Sequence, residues 1–176
     1  MNKLAILLVV MSLSFCGFAQ KQLDVFSGLD QVKSVVVNQK MFDLMAKVKM
    51  DESDKEAARY LAMIKNLTHL TLYTTEDKPT ATHMRTVVDE YVAEQKLTEV
   101  TRFAESGKKI SLYTKQGVDA QFLSEILLFV ESSTEEDTVL FSLRGTIDLN
   151  EVAFLSERLK LPGKEAIQKA VKGIKQ

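Results

Sequence analysis

Two long apolar segments, residues 122–131 and 138–147, constrain the fold of this chain more than any other feature. Both have the length and composition of strands, and the polar stretch 132–137 between them is typical of a turn, so they are predicted to form an antiparallel hairpin. A turn symmetric about Thr134 and Glu135 pairs only apolar residues on one face. The pairs are Phe122 with Ile147, Ile126 with Leu143, Leu128 with Phe141, and Val130 with Val139. A slip of one residue would mix the two faces, so the sequence favours this register.

The other face of the same hairpin combines charge with apolar surface. The register places Glu125 opposite Arg144. The apolar residues expected on this face are Leu123, Leu127, Phe129 and Leu140. Glu125 could be an acid or base with a perturbed pKa, or it could form a structural ion pair with Arg144 beside apolar neighbours. We favour the ion pair, and we interpret the half-apolar face as a surface for a ligand or a partner.

The rest of the chain predicts an α+β fold. The expected order is β-α-α-β-α-β-β-β-β-α-α, with helical periodicity in the segments between and after the strands. The predicted strands are residues 34–37, 67–74, 98–104, 109–114, 122–131 and 138–147. Helices between the first two strands predict a parallel crossover, and the last four strands predict an antiparallel meander. The expectation is one mixed sheet of about six strands with helices packed on it, in a single domain over residues 20–176.

The first 19 residues have the pattern of a secretory signal peptide. Lys3 supplies a positive start, and the apolar run 4–15 is too short to span a bilayer. Gly17 and Ala19 occupy the small-residue positions that precede a cleavage site. Cleavage is therefore predicted between Ala19 and Gln20, with export to the periplasm or the extracellular space, and no later segment is long and apolar enough for a transmembrane helix.

The single cysteine, Cys16, gives this segment a second interpretation. Bacterial lipoproteins are cut immediately before a cysteine that then carries lipid, so Cys16 could tether the chain to the envelope. Phe15 is large for the position before such a cysteine, and we therefore favour cleavage after Ala19. One cysteine excludes an internal disulfide and any metal or redox motif that needs several cysteines.

Charge and motifs exclude several classes of function. The net charge of −1 gives no basic surface for nucleic acid. The sequence has no Gly-rich phosphate loop and no Gly-x-Ser-x-Gly elbow, and its two histidines, His69 and His83, do not form a metal-ligand motif. No catalytic, cofactor-binding or metal-binding residue is predicted. Asp137-Thr138-Val139 matches a short O-glycosylation pattern associated with Bacteroidota, which makes Thr138 a candidate modification site.

Four segments carry a resemblance to a known family. They read VKSVVVNQKMFDL at 32–44, KISLYT at 109–114, FLSEILLFV at 122–130 and LRGTIDLNEVAFL at 143–155. In this order and spacing, over about residues 21–160, the chain resembles the domain of unknown function 4252 family of Bacteroidota envelope proteins. The strand with Glu-Ile-Leu-Leu and the segment from Gly145 to Leu149 are its most specific parts. The resemblance implies a small exported protein, often a lipoprotein, without an established activity, and it supplies no catalytic residue.

These observations favour a non-enzymatic exported protein that binds an envelope protein or a small apolar ligand. A periplasmic enzyme of the hydrolase type, with a site not visible in the sequence, is the alternative. A regulatory or stress-linked interaction protein is a third hypothesis.

Overall fold

Six strands and three helices form the described part of the chain, which comprises residues 22–48, 54–105, 107–132 and 137–148 of a computed structural model. The strands are β1 (Lys33–Asn38), β2 (Leu67–Thr75), β3 (Thr98–Glu105), β4 (Lys108–Gln116), β5 (Phe122–Ser132) and β6 (Thr138–Asp148). The helices are α1 (Gln39–Met45), α2 (Lys55–Ile64) and α3 (Lys78–Gln95), preceded by a 3-10 turn at Asp24–Phe26. The predicted signal peptide, Cys16, the centre of the β5–β6 turn and the two predicted C-terminal helices lie outside these residues.

The strands form one sheet in the order β1-β2-β6-β5-β4-β3. The predicted α+β fold with six strands is confirmed, as is the antiparallel meander from β3 to β6. The predicted parallel crossover is wrong, because β1 pairs with β2 in the antiparallel direction. Two helices, α1 and α2, connect these strands. The second helix returns the chain to the end of the sheet where β1 finishes, so β2 starts there and runs in the opposite direction.

The predicted register of the β5–β6 hairpin is confirmed over most of its length. Ile126 pairs with Leu143, Leu128 with Phe141, and Val130 with Val139. At the other end of the hairpin the prediction is wrong, since Ile147 pairs with Leu123 instead of Phe122.

Opposite Ser124 of β5, strand β6 has two residues, Gly145 and Thr146, and this extra β6 residue shifts the pairing of Ile147. Relative to β4, Ser124 is itself an extra residue of β5, since Lys115 and Gln116 pair with Glu125 and Leu123. The Ser124 hydroxyl donates to the carbonyl oxygens of Lys115 and Gln116, at 3.3 and 3.0 Å. An extra residue in a strand reverses the faces on either side of it. Leu123 therefore packs on the face opposite Leu127, and its predicted place beside Glu125 is also wrong.

Each face of the sheet carries one hydrophobic layer. The α1/α2 layer comprises Phe42, Met63, Ile64, Leu67, Ile110, Leu112, Leu123, Ile126, Leu128, Val130, Val139, Phe141, Leu143 and Ile147. The α3 layer comprises Leu23, Phe26, Val32, Tyr73, Met84, Val87, Val88, Tyr91, Leu97, Tyr113, Leu127, Phe129 and Leu140.

Side chains at the starts of the helices fix where each one begins. Asn38 accepts from the amide of Met41 at the start of α1, and Asp54 caps α2 in the same way. Asp77 accepts from the amide of Thr80 at 2.9 Å at the start of α3. These caps satisfy backbone N–H groups that a helix cannot pair internally.

Helix α3 closes the half-apolar face of the hairpin. Leu127, Phe129 and Leu140 each have no solvent exposure in the α3 layer. Arg85 of α3 lies over the Phe129 ring, 4.4 Å from its centroid, and pairs with Glu131 of β5. The interpretation of this face as an open surface for a ligand or partner is therefore wrong, because it is part of the core.

Candidate functional site

The buried carboxylate of Glu125 is the centre of a polar network beneath α3. Glu125 is 3% exposed, and the Tyr91 hydroxyl of α3 lies 2.8 Å from Oε1 and 3.0 Å from Oε2. The Ser142 hydroxyl of β6 donates to Oε1 at 2.9 Å. Two hydroxyl groups from different elements thus hold one carboxylate between helix and sheet.

Arg144 lies opposite Glu125 in the β5–β6 register, as the sequence predicts. Among the described residues, however, the ion pairs within 4.0 Å do not include these two side chains. The positive charge of Arg144 still acts on Glu125 through space. The carboxylate is therefore held by hydrogen bonds from the hydroxyls of Tyr91 and Ser142, and Arg144 acts on it only as a nearby positive charge.

Burial dominates the electrostatics of this network. Burial raises the pKa of Glu125, while the Tyr91 and Ser142 hydrogen bonds and the charges of Arg144 and Lys115 act in the opposite direction. The pKa of Tyr91 is also raised, first by burial and then by the Glu125 charge. In the same part of the sheet, burial lowers the pKa of His69, and Arg144 lowers it further.

The network has no open side among the described residues. Tyr91 and Ser142 have no solvent exposure, and Glu125 has almost none. A substrate would have to displace α3 to reach the carboxylate. We therefore interpret the network as a structural connection between α3 and the sheet.

A cavity of about 200 Å³ lies at the end of the sheet where β2 and β5 begin and β6 ends. Helix α2 forms one wall. The lining residues are Arg59, Ala62, Met63, Asn66, Leu67, Phe122, Thr146, Ile147 and Asp148. Four separate elements and the α2–β2 connection therefore contribute to one site.

A glycine allows two of these walls to meet. Gly145 has a φ of +151°, and a Cβ at this position would lie 2.3 Å from the carbonyl oxygen of Asn66. The amide of Thr146 donates to this same oxygen at 2.8 Å. Because no other residue has room at position 145, the glycine holds the start of β2 against the end of β6 and so fixes the back of the cavity.

The cavity is open to solvent on one side, where Arg59, Ala62, Asn66 and Thr146 are exposed, and it is lined by both apolar and polar residues. Ala62, Met63, Leu67, Phe122 and Ile147 supply the apolar surface. Arg59, Asn66, Thr146 and Asp148 supply a cation, an amide, a hydroxyl and a carboxylate. An apolar cavity of about 150 Å³ can hold one benzene ring, whereas drug-sized ligands need about 300 Å³ or more. The cavity has room for a single ring or one branched aliphatic group.

The remaining predicted site residues have no part in this cavity. Thr138 is 3% exposed at the start of β6, and its hydroxyl oxygen accepts from the amide of Ser132 at 3.4 Å. Glycosylation of the folded chain at Thr138 would require this hydroxyl to leave the core. Cys16, Ala19 and Gln20 lie outside the described residues.

Neither metal-binding nor membrane-spanning features are found in the described ranges. No group of three or more His, Cys, Asp or Glu side chains there is arranged to hold a metal ion. The helices described above include none with the length and apolarity needed to cross a bilayer.

Comparison with known proteins identifies the family. The sequence profile of the family described as Domain of unknown function (DUF4252) matches residues 26–155. The chain belongs to this family. The predicted membership of the domain of unknown function 4252 family is thus confirmed, and both the Glu125 network and the cavity lie within the matched region. No curated protein and no solved structure gives a significant match.

Proposed function

We propose that this member of the family is a non-enzymatic exported protein that binds a small apolar group of a ligand in the cavity beside α2. The cavity itself is the observation that supports the proposal. Its volume of about 200 Å³ and its five apolar side chains fit one ring or one branched aliphatic group. The polar side chains of the lining suit the polar remainder of such a ligand.

The expected affinity is modest because the cavity is small. Burial of one CH₂ group contributes about 0.8 kcal/mol, so a six-carbon group gains about 5 kcal/mol before the entropic cost of binding. A ligand held by this group alone would therefore bind with a dissociation constant in the millimolar range or weaker. Tighter binding requires contacts between the polar remainder of the ligand and the lining.

Methyl NMR of the two methionines on opposite faces of the sheet tests this proposal. Met63 lines the cavity, whereas Met84 is fully buried in the α3 layer. Titration with benzene and with isobutanol should shift the Met63 methyl signal in a saturable way and leave the Met84 signal unchanged. Equal movement of both signals, or movement of neither, would overturn the proposal.

A pair of variants on α2 supplies the matched control. Ala62 lines the cavity, and Ala58 is an exposed residue one turn earlier on the same helix. Ala62→Leu should fill the cavity and abolish the Met63 response, and Ala58→Leu should preserve it. Loss of the response in both variants would show that the ligand does not occupy this cavity.

The proposal places the chain outside the cytoplasm, in the periplasm or beyond. The signal-peptide pattern of residues 1–19 and the envelope proteins of Bacteroidota that the sequence resembles support this location. The intact mass of the protein purified from its own host distinguishes the two forms. Cleavage after Ala19 gives a chain that begins at Gln20, and lipidation gives a chain that begins at a modified Cys16. A mass that retains residues 1–15 would overturn export.

A further inference from the structure

The two edges of the sheet are protected to different degrees. An unpaired edge strand attracts other strands, and proteins commonly protect it with charges or a bulge. Strand β3 has both, since it carries Glu99, Arg102 and Glu105 and its register shifts between Glu99 and Thr101. Strand β1 pairs with β2 in an unbroken register and has three consecutive valines at its centre.

Exposed apolar side chains concentrate next to the β1 edge. Val35 is 51% exposed in β1. Met41, Leu44 and Val48, at helical spacing in α1 and just after it, are 46%, 63% and 54% exposed. These are four of the seven large exposed hydrophobic residues in the described part of the chain. We call residues 33–48 the β1–α1 edge.

Val35 and α1 lie on the same face of the sheet. Val35 pairs with Leu72, and Val37 pairs with Leu70. Val37, Leu70 and Leu72 pack against the α1/α2 layer, which includes Phe42 of α1. Alternate residues of a strand share a face, so Val35 belongs to the α1 side of β1. The strand edge and the outer side of α1 are therefore neighbouring parts of one surface.

We propose that the β1–α1 edge is a dimer interface occupied by a second copy of this chain. The two β1 strands pair antiparallel around a twofold axis, and the two α1 helices meet on the same face. Pairing that centres on Val35 sets odd residues of one copy opposite odd residues of the other, so the two α1/α2 layers become continuous. The unpaired backbone groups of both edges then satisfy each other.

The charges on α1 support a second copy in preference to another partner. Lys40 and Asp43 of α1, and Lys47 two residues after it, are exposed and alternate in sign. Two antiparallel α1 helices therefore offer each Asp43 a lysine of the other copy. In β1 itself the one charged residue, Lys33, already pairs with Glu76 at 3.5 Å. An unrelated strand could satisfy the β1 backbone, but it would leave the apolar and charged surface of α1 uncovered.

Sedimentation equilibrium of the chain with Cys16→Ser tests the dimer without interference from lipid or disulfide. The parent chain should show a monomer–dimer equilibrium. Val35→Lys and Leu44→Lys should each raise the dimer dissociation constant by about tenfold or more. The control is Val118→Lys, because Val118 is a fully exposed apolar residue remote from α1 in sequence. It should leave the equilibrium unchanged, and circular dichroism should confirm that all variants remain folded.

Three results would overturn the proposal: a parent chain that is monomeric at every concentration, a dimer that survives both lysine variants, or equal weakening by Val118→Lys. In a chain whose native cysteine is Ser, Leu44→Cys provides an independent test. Mild oxidation should give a crosslinked dimer from Leu44→Cys and little from Val118→Cys. Equal crosslinking of both variants would also contradict the twofold arrangement.

Discussion

The layer beneath α3 and the end of the sheet beside α2 use the same strands in different ways. Under α3, the long β5 and β6 strands bury Glu125 and Ser142, and the Glu125 carboxylate accepts hydrogen bonds from Ser142 and from Tyr91 of the helix. Beside α2, the ends of the same strands leave a cavity between apolar side chains. A buried polar network thus closes one face of the sheet completely, while a cavity remains at the end of the sheet beside α2.

The largest expected effect concerns the irregularity at Gly145. In Gly145→Ala, a methyl group would lie 2.3 Å from the Asn66 carbonyl oxygen, at a φ of +151° that alanine avoids. The loss of unfolding free energy should be about 3 kcal/mol or more, measured by urea denaturation. Gly28→Ala is the matched control, because Gly28 has a φ of +83° but no atom near the added methyl group. Equal losses in the two variants would contradict a tight approach of β6 to Asn66.

The polar network gives the next largest effect. Tyr91→Phe removes the donor to both oxygens of a buried carboxylate, so the loss of unfolding free energy at neutral pH should be about 1.5–3 kcal/mol. Tyr60→Phe, on a partly buried tyrosine of α2, should change stability by less than about 0.5 kcal/mol. Similar values for both variants would mean that the network does not fasten α3.

The smallest effect is a pH dependence caused by Glu125. Burial raises the pKa of Glu125 in the folded state above its unfolded value of about 4.3. Protonation of Glu125 therefore contributes to the free energy of unfolding. This contribution is fully present below the unfolded pKa and is lost as the pH rises through the folded pKa. Glu125→Gln should remove this loss, so that the variant gains stability relative to the parent as the pH rises above about 4.3. Parallel stability curves from denaturation at a series of pH values would contradict the raised pKa.

Sequence periodicity predicts the centre of the sheet well and its irregular parts poorly. The apolar alternation of β5 and β6 fixes three of their central pairs, because a slip would expose a whole face. The irregularities at Ser124 of β5 and at Gly145–Thr146 of β6 carry no periodic signal, so the face of Leu123 and the pairing of Ile147 are missed. The direction of β1 relative to β2 depends on how two intervening helices pack, which local sequence does not specify.

The two candidate sites differ from the sequence predictions for a similar reason. Tyr91 follows the apolar stripe of α3, and nothing in that stripe indicates that its hydroxyl meets Glu125 more than thirty residues later. The cavity is assembled from α2, β2, β5 and β6, which come together only in the tertiary structure. Its one sequence signal is Gly145, since a glycine within a strand often marks a bulge or a close approach of backbone.

The position of β6 in the sheet has a consequence for the assembly of the chain during its synthesis. Strand β6 is the last strand described, yet it lies between β2 and β5. Until β6 has been made, β2 and β5 each lack a pairing strand on one side, and the two halves of the sheet are not connected. The N-terminal strands must therefore wait for the far end of the domain, which lengthens the period in which the nascent polypeptide remains unfolded and accessible to chaperones.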